Sequence, residues 1–258
     1  MIFKDGSPGD LLDDLALLAS QGYNLGNAGN WFFNFRGGLN GIRSRCSGMQ
    51  FHRRFVYEWE IGPLYNNIEH HCSSMLFCMD SAVECMVYGL NALGQAVAPT
   101  GFRSISDSKA LRLISPKDVT GLGTTAPLAG WAQVFPNFQK HFSASSAFLA
   151  QLVGNHDVSK HRMHSFSGGT VRNDPPAGFY ERLGLGPRDP SRTLIAPMAT
   201  VLIPKEPKLP TDSQPSDLAA WTTLESLLTD FEAFIQEGLR LANDDAHRTI
   251  NLPVKQLQ

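Results

Sequence analysis

The strongest regularity along the chain is an apolar stripe. Ile68, Cys72, Met75, Met79, Ala82, Met86, Leu90 and Leu93 recur at spacings of 4, 3, 4, 3, 4, 4 and 3. That is the period of one helix face, sustained for about seven turns at 3.6 residues each. Pro63 suits a first helical turn and Gly94 a stop. Phe77, Val83 and Val87 widen the stripe, which predicts a helix central to a bundle. A shorter helix is predicted from Asp10, with acids in its first turn and Gly22 closing it. Pro136 restricts the residue before it, so a further helix is expected to start after it. Ser143 is expected to cap its continuation, with Ala144, Ala147, Phe148, Leu152 and Val153 on one face that ends near His161. Ser216 or Asp217 is expected to cap the last long helix, on which Leu218, Trp221, Leu224, Leu228, Phe231, Ile235 and Ala242 share a face.

Between these stretches the pattern breaks. Residues 22–41 are dense in Gly and Asn yet carry Trp31, Phe32, Phe33 and Phe35. They are expected to form an irregular connection with at most one strand, held by an aromatic anchor. Residues 197–204 are rich in β-formers but bounded by prolines, which predicts an edge strand or a hairpin arm. Residues 205–217 read as an exposed linker. Strands do not alternate with helices, so a doubly wound sheet is excluded. The expected fold is all-α: an up-and-down helical bundle with irregular, loop-rich insertions and at most a small β-hairpin. It is expected to be a single domain with its core at about 60–164 and 216–246, and with 1–55 and 165–215 peripheral.

Composition narrows the class. Of 258 residues 42% are hydrophobic, and 22 Lys+Arg against 24 Asp+Glu give a net charge of −2. A disordered chain is less apolar, and a DNA-coating protein carries an overall basic field. Cys72, Cys78 and Cys85 lie six and seven residues apart on the predicted helix, too far for a disulfide. No C-x-x-C pair occurs, so free thiols in a reducing cytoplasm are expected and no zinc ribbon. Asp5, Asp10, Asp13 and Asp14 interrupt any signal peptide, and Asp80, Glu84 and Asn91 break the most apolar window. The chain is therefore expected to be cytoplasmic, with no membrane partner.

The densest candidate chemistry is residues 154–164. His156, His161 and His164 lie there with Lys160 and Arg162, at a predicted helix end. Cations complement a helix C-terminus and account for much of the pattern. The functional alternative is an anion site, with phosphate as one example, where a histidine moves protons and a cation stabilises developing charge. A bundle helix running from Asn155 to Lys160, His161 and Arg162 resembles the HEPN superfamily, and the helix ending at Leu90–Gly94 is similar to that superfamily's first core helix. The resemblance implies, in active members, metal-independent cleavage of RNA by a histidine and an arginine. Here His161 matches the histidine and Asn155 the polar position, while Gly154 stands where the arginine belongs. The resemblance therefore implies the fold more than catalysis, and a bacterial stress or defence setting. Arg240 and His247 repeat the spacing at the end of the last helix.

Other groups offer less. Glu69-His70-His71-Cys72 cannot converge on one ion, because adjacent helical side chains diverge by about 100°. No di-iron pattern, P-loop or G-x-S-x-G nucleophile occurs. Residues 36–54 carry Arg36, Arg43, Arg45, Arg53, Arg54 and His52 among aromatics without one acid. Such a stretch either holds single-stranded RNA by charge and stacking or pairs its arginines with acids elsewhere. The expectation is a non-catalytic, HEPN-like helical domain, homodimeric, binding a partner or an RNA- or nucleotide-type anion at Asn155, His156, His164, Arg240 and His247. One alternative is a ribonuclease using His161 with Lys160 or Arg162, or Arg240 with His247, and another is a structural dimer. No cofactor or metal is expected.

Overall fold

The computed structural model describes residues 8–21, 28–58, 68–106, 109, 112–121, 126–161, 169–171, 177, 198–207 and 218–250. The fold is all-α with a small antiparallel sheet. The helices are α1 (Pro8–Gln21), α2 (Ala28–Tyr57), α3 (Ile68–Val97), α4 (Pro116–Thr120), α5 (Ala129–Val134), α6 (Pro136–Ala144), α7 (Ser146–His161) and α8 (Leu224–Ile250). The strands are β1 (Gly169–Val171), β2 (Met198–Pro204) and β3 (Trp221–Thr223). By internal contacts the chain divides into two compact units. Unit 1 comprises Met1–Cys46, Met79–Ala150 and Thr229–Gln258; unit 2 comprises Ser47–Cys78 and Gln151–Leu228.

In unit 1 the decisive feature is how closely α2 approaches α3. A Cβ on Gly38 would lie 2.6 Å from the Cα of Gly89, and one on Gly41 would lie 2.6 Å from the Cys85 sulfur. Gly38 and Gly41 therefore serve helix–helix contact, not turns. From Ala28 on, the expected irregular connection is instead part of a 30-residue helix, and residues 22–27 lie outside the described residues. Glycine costs a helix about 0.5–1 kcal/mol relative to alanine, and backbone-to-backbone packing offsets it. Tyr88 donates a hydrogen bond to Asn34 beside this contact, and Arg43 pairs with Asp13 of α1. Residues 1–55, expected to be peripheral, supply the buried Leu12, Leu15, Trp31, Phe35, Ile42 and Met49.

The stripe on α3 is buried from Cys72 to Leu93, with Val83 and Val87 beside it. Two details differ from the sequence reading. Phe77 is 43% exposed, and α3 runs past Gly94 to Val97, because the Phe102 ring lies where a Gly94 side chain would stand. Pro63 lies outside the described residues. By length and composition α3 is apolar enough to cross a membrane, but 72% of its most apolar window is buried within the protein.

The helix expected after Pro136 includes it, with Pro136 at the first position of α6. Ser143 caps no continuation: the backbone turns at Ser145, whose N–H reaches His141 O at 3.0 Å, and α7 starts afresh. The α6 N-terminus is capped from α8. Buried Asp245 accepts the Asn137 and Phe138 N–H groups at 2.9 and 3.0 Å and the Asn137 amide at 2.9 Å. The rings of Phe102, Trp131, Phe135, Phe138, Phe142 and Phe234 form a connected aromatic cluster, edge to face or tilted except for the stacked pair Trp131–Phe138. Two further buried polar groups hold the loop after α3. Asn91 bonds both the N–H and the carbonyl of Arg103, and the Arg103 guanidinium grips Asp118 at 2.8 and 3.1 Å.

In unit 2 the buried line of α7 is Leu152 and Asn155, preceded by Leu149 in unit 1. Val153, expected to be on that face, is 38% exposed. Leu218 and Trp221 do not belong to the last long helix: Leu218–Ala220 is a single 3-10 turn that precedes it. Trp221–Thr223 forms β3, and the Thr223 hydroxyl accepts the Ser226 N–H at 3.1 Å, capping α8 at Leu224. Ser216 and Asp217 lie outside the described residues. The strand expected at 197–204 is present, but as the middle strand of the order β1-β2-β3 and not at an edge. Each neighbour pairs with only half of β2, so Pro204, which has no N–H to give, ends it without breaking the ladder.

Candidate anion-binding face and histidine cluster

Helix α2 has no acidic residue along its whole length and carries five arginines. The rest of the chain then holds 17 Lys+Arg against 24 Asp+Glu, so α2 is a basic element in an otherwise acidic protein. Phe33, Arg36, Asn40, Arg43, Ser47, Phe51 and Arg54 are all exposed, at spacings of 3, 4, 3, 4, 4 and 3. They form one outer stripe opposite the buried one. Phe33 is 72% exposed and Phe51 is 47% exposed. The Arg36 guanidinium sits 5.9 Å from the Phe32 ring centre. Arg43 is tied to Asp13, and Arg53 approaches Glu58 at 3.6 Å. Surface pairs of this kind contribute about 0–1 kcal/mol, so a phosphate can compete for either guanidinium.

The end of α2 and the start of α3 bring three histidines together within unit 2. His52 Nδ1 lies 2.9 Å from His71 Nδ1. One imidazole donates and the other accepts, so the pair shares a single Nδ1 proton. His71 is fully buried and stacks on Phe55, with centroids 4.8 Å apart and planes 11° apart. His70 is exposed and edge-on to both other rings. Burial holds the His52 pKa below its ordinary value, and His71 and His70 add to that. Burial also pushes the Cys72 thiol up to about 12, with the Glu225 and Glu69 charges adding to it, so it is no nucleophile near neutrality. The Tyr57 phenol is raised too, by burial and then by Glu225. Among the described residues no set of three His, Cys, Asp or Glu side chains is placed to hold a metal ion.

The residues singled out from the sequence fall as follows. Asn155 is fully buried, and its amide donates to Gln151 O at 2.9 Å and Pro204 O at 3.1 Å, tying α7 to the end of β2. His156 is half-buried and edge-on to Phe77. Gly154, where the HEPN resemblance leads one to expect an arginine, faces Pro207: a Cβ there would meet the Pro207 ring at 2.5 Å. Arg162 and His164, and the side chains of Lys160 and His161, lie outside the described residues. Arg240 is exposed and bonded to Glu237 and Asp244 at 2.6–2.8 Å, with His247 exposed two turns on. The His52–His71 pair escaped the sequence reading because His70-His71 was weighed on its own helix, and the partner comes from a segment not read as helical. The chain matches no family model, no curated protein and no solved structure.

Proposed function

We propose that this protein is a non-catalytic, HEPN-like helical domain that binds single-stranded RNA along the outer stripe of α2. The observation that carries this reading is an acid-free helix whose exposed line holds three arginines with a phenylalanine towards each end, Phe33 and Phe51. Arginines track the phosphates, and every base offers a ring face for stacking, so such a stripe binds strands with little sequence preference. A basic face on a protein of net charge −2 concentrates attraction at one element. The non-catalytic part rests on Gly154: the residue before Asn155 has no side chain, and the Pro207 ring fills the space one would occupy. A lysine or arginine farther along the helix presents a different geometry.

Fluorescence anisotropy with a labelled oligouridine tests this. With three to five arginines engaged, log Kd rises with log salt at a slope of about 2–3.5. Phe33→Ala and Phe51→Ala each weaken binding by about fivefold or more, the effect of one lost stacking contact. Arg240→Gln leaves it unchanged. If the oligonucleotide is not retained at low salt, or if all these variants bind as the parent does, α2 is not the binding face. Retention by anionic lipid vesicles but not by RNA would also overturn it.

A further inference from the structure

We propose that the Nδ1–Nδ1 hydrogen bond between His52 and His71 is a proton-operated latch within unit 2. It closes the end of α2 onto the start of α3 while the pair shares one proton, and it opens when acid supplies both nitrogens. The geometry sets the mechanism. At 2.9 Å the two ring nitrogens fit one N–H between them. A first added proton leaves the bond in place but puts a charge on a pair of which His71 is fully buried. A second sets N–H against N–H, and the bond is gone. No carboxylate is among the groups that bear on His52: they are His71 and His70, and both oppose its protonation. Arg53 and Glu225, from α2 and α8, act on Tyr57 beyond the pair, while Glu225 and Glu69 act on Cys72.

The sign follows from linkage. The folded His52 takes up its proton at lower pH than an unfolded histidine does. Its contribution is therefore complete above the unfolded value of about 6.5 and is lost as pH falls from there through the folded value. The pair titrates as one system in two steps, and release belongs to the lower step. The latch does not depend on RNA binding.

Hydrogen exchange on the full chain between about pH 7.5 and 4.5, corrected for intrinsic rates, reads the opening. Protection across 47–57 and 68–75 falls relative to α6, by about tenfold for each unit by which the pair's titration is displaced. His52→Asn keeps an amide where Nδ1 stood but cannot titrate, so its protection ratio is flat across the same range. A flat ratio in the parent overturns the latch. So does an undiminished pH response in His52→Asn, which would assign the response to Glu69, Glu225 or Glu58. Should His52→Asn fail to fold, nitrogen-15 histidine spectra of the parent decide: coupled Nδ1 resonances support the latch, and two independent, ordinary titrations refute it.

Discussion

Gly37 and Gly38 are neighbours in α2 with opposite surroundings, and they isolate helix–helix contact from helix propensity. A Cβ on Gly37 would meet nothing within 4 Å. A Cβ on Gly38 would lie 2.6 Å from Gly89 Cα, 2.7 Å from Gly89 N and 2.8 Å from Cys85 O, all of them backbone atoms of α3. Backbone cannot rotate aside as a side chain can, so the two helices would have to part. Gly37→Ala therefore stabilises the fold by the propensity difference, about 0.5–1 kcal/mol. Gly38→Ala gains the same propensity but overpacks the contact, at about 1–3 kcal/mol and at the upper end because only backbone can yield. The two variants should differ by about 2 kcal/mol or more, close to 4–8 °C in Tm for a chain of this length. Urea unfolding and calorimetry on the parent and both variants measure it. If Gly38→Ala is as stable as Gly37→Ala, the two helices do not touch at residue 38. The account of why α2 is glycine-rich would then be wrong.

Two further outcomes test the packing around the candidate sites. Asp245→Ala removes a buried carboxylate that accepts four hydrogen bonds, three from Asn137 and Phe138 and one from Arg248, and strips the cap from α6; a loss of about 3 kcal/mol is expected, read as a lower urea midpoint with an unchanged slope. Gly154→Arg places a guanidinium where the HEPN resemblance expects one but drives a Cβ into Pro207; it should lower stability by about 1–3 kcal/mol and yield no metal-independent RNA cleavage. Cleavage by a stable Gly154→Arg protein would refute the view that this position is closed to a side chain.

The helices that periodicity could find are the ones whose contacts are made by bulky apolar residues. The α3 stripe is visible because Cys72, Met75, Met79, Met86 and Leu90 each fill space. Helix α2 was hidden for the opposite reason. Its contact with α3 is made by the absence of side chains at Gly38 and Gly41, and glycine signals a turn when the partner helix is unknown. The boundary at Leu224 was hidden because Trp221 and Leu228 fit one helical face, although Trp-Thr-Thr favours a strand and Thr223 supplies the cap. The basic tract was legible as charge. That Phe33, Arg36, Arg43, Phe51 and Arg54 share one line became visible only once the segment was a helix. Asn155 was noticed as a polar residue in a motif. Its two bonds to backbone carbonyls give it a structural task that spacing does not encode.

Photo-crosslinking of a 4-thiouridine oligonucleotide, followed by mapping of the attached peptides, asks where on the surface RNA lies. Adducts should concentrate on α2, at or beside Phe33 and Phe51. Adducts confined to residues 155–164 or to the end of α8 would contradict the assignment of this helix as the binding face.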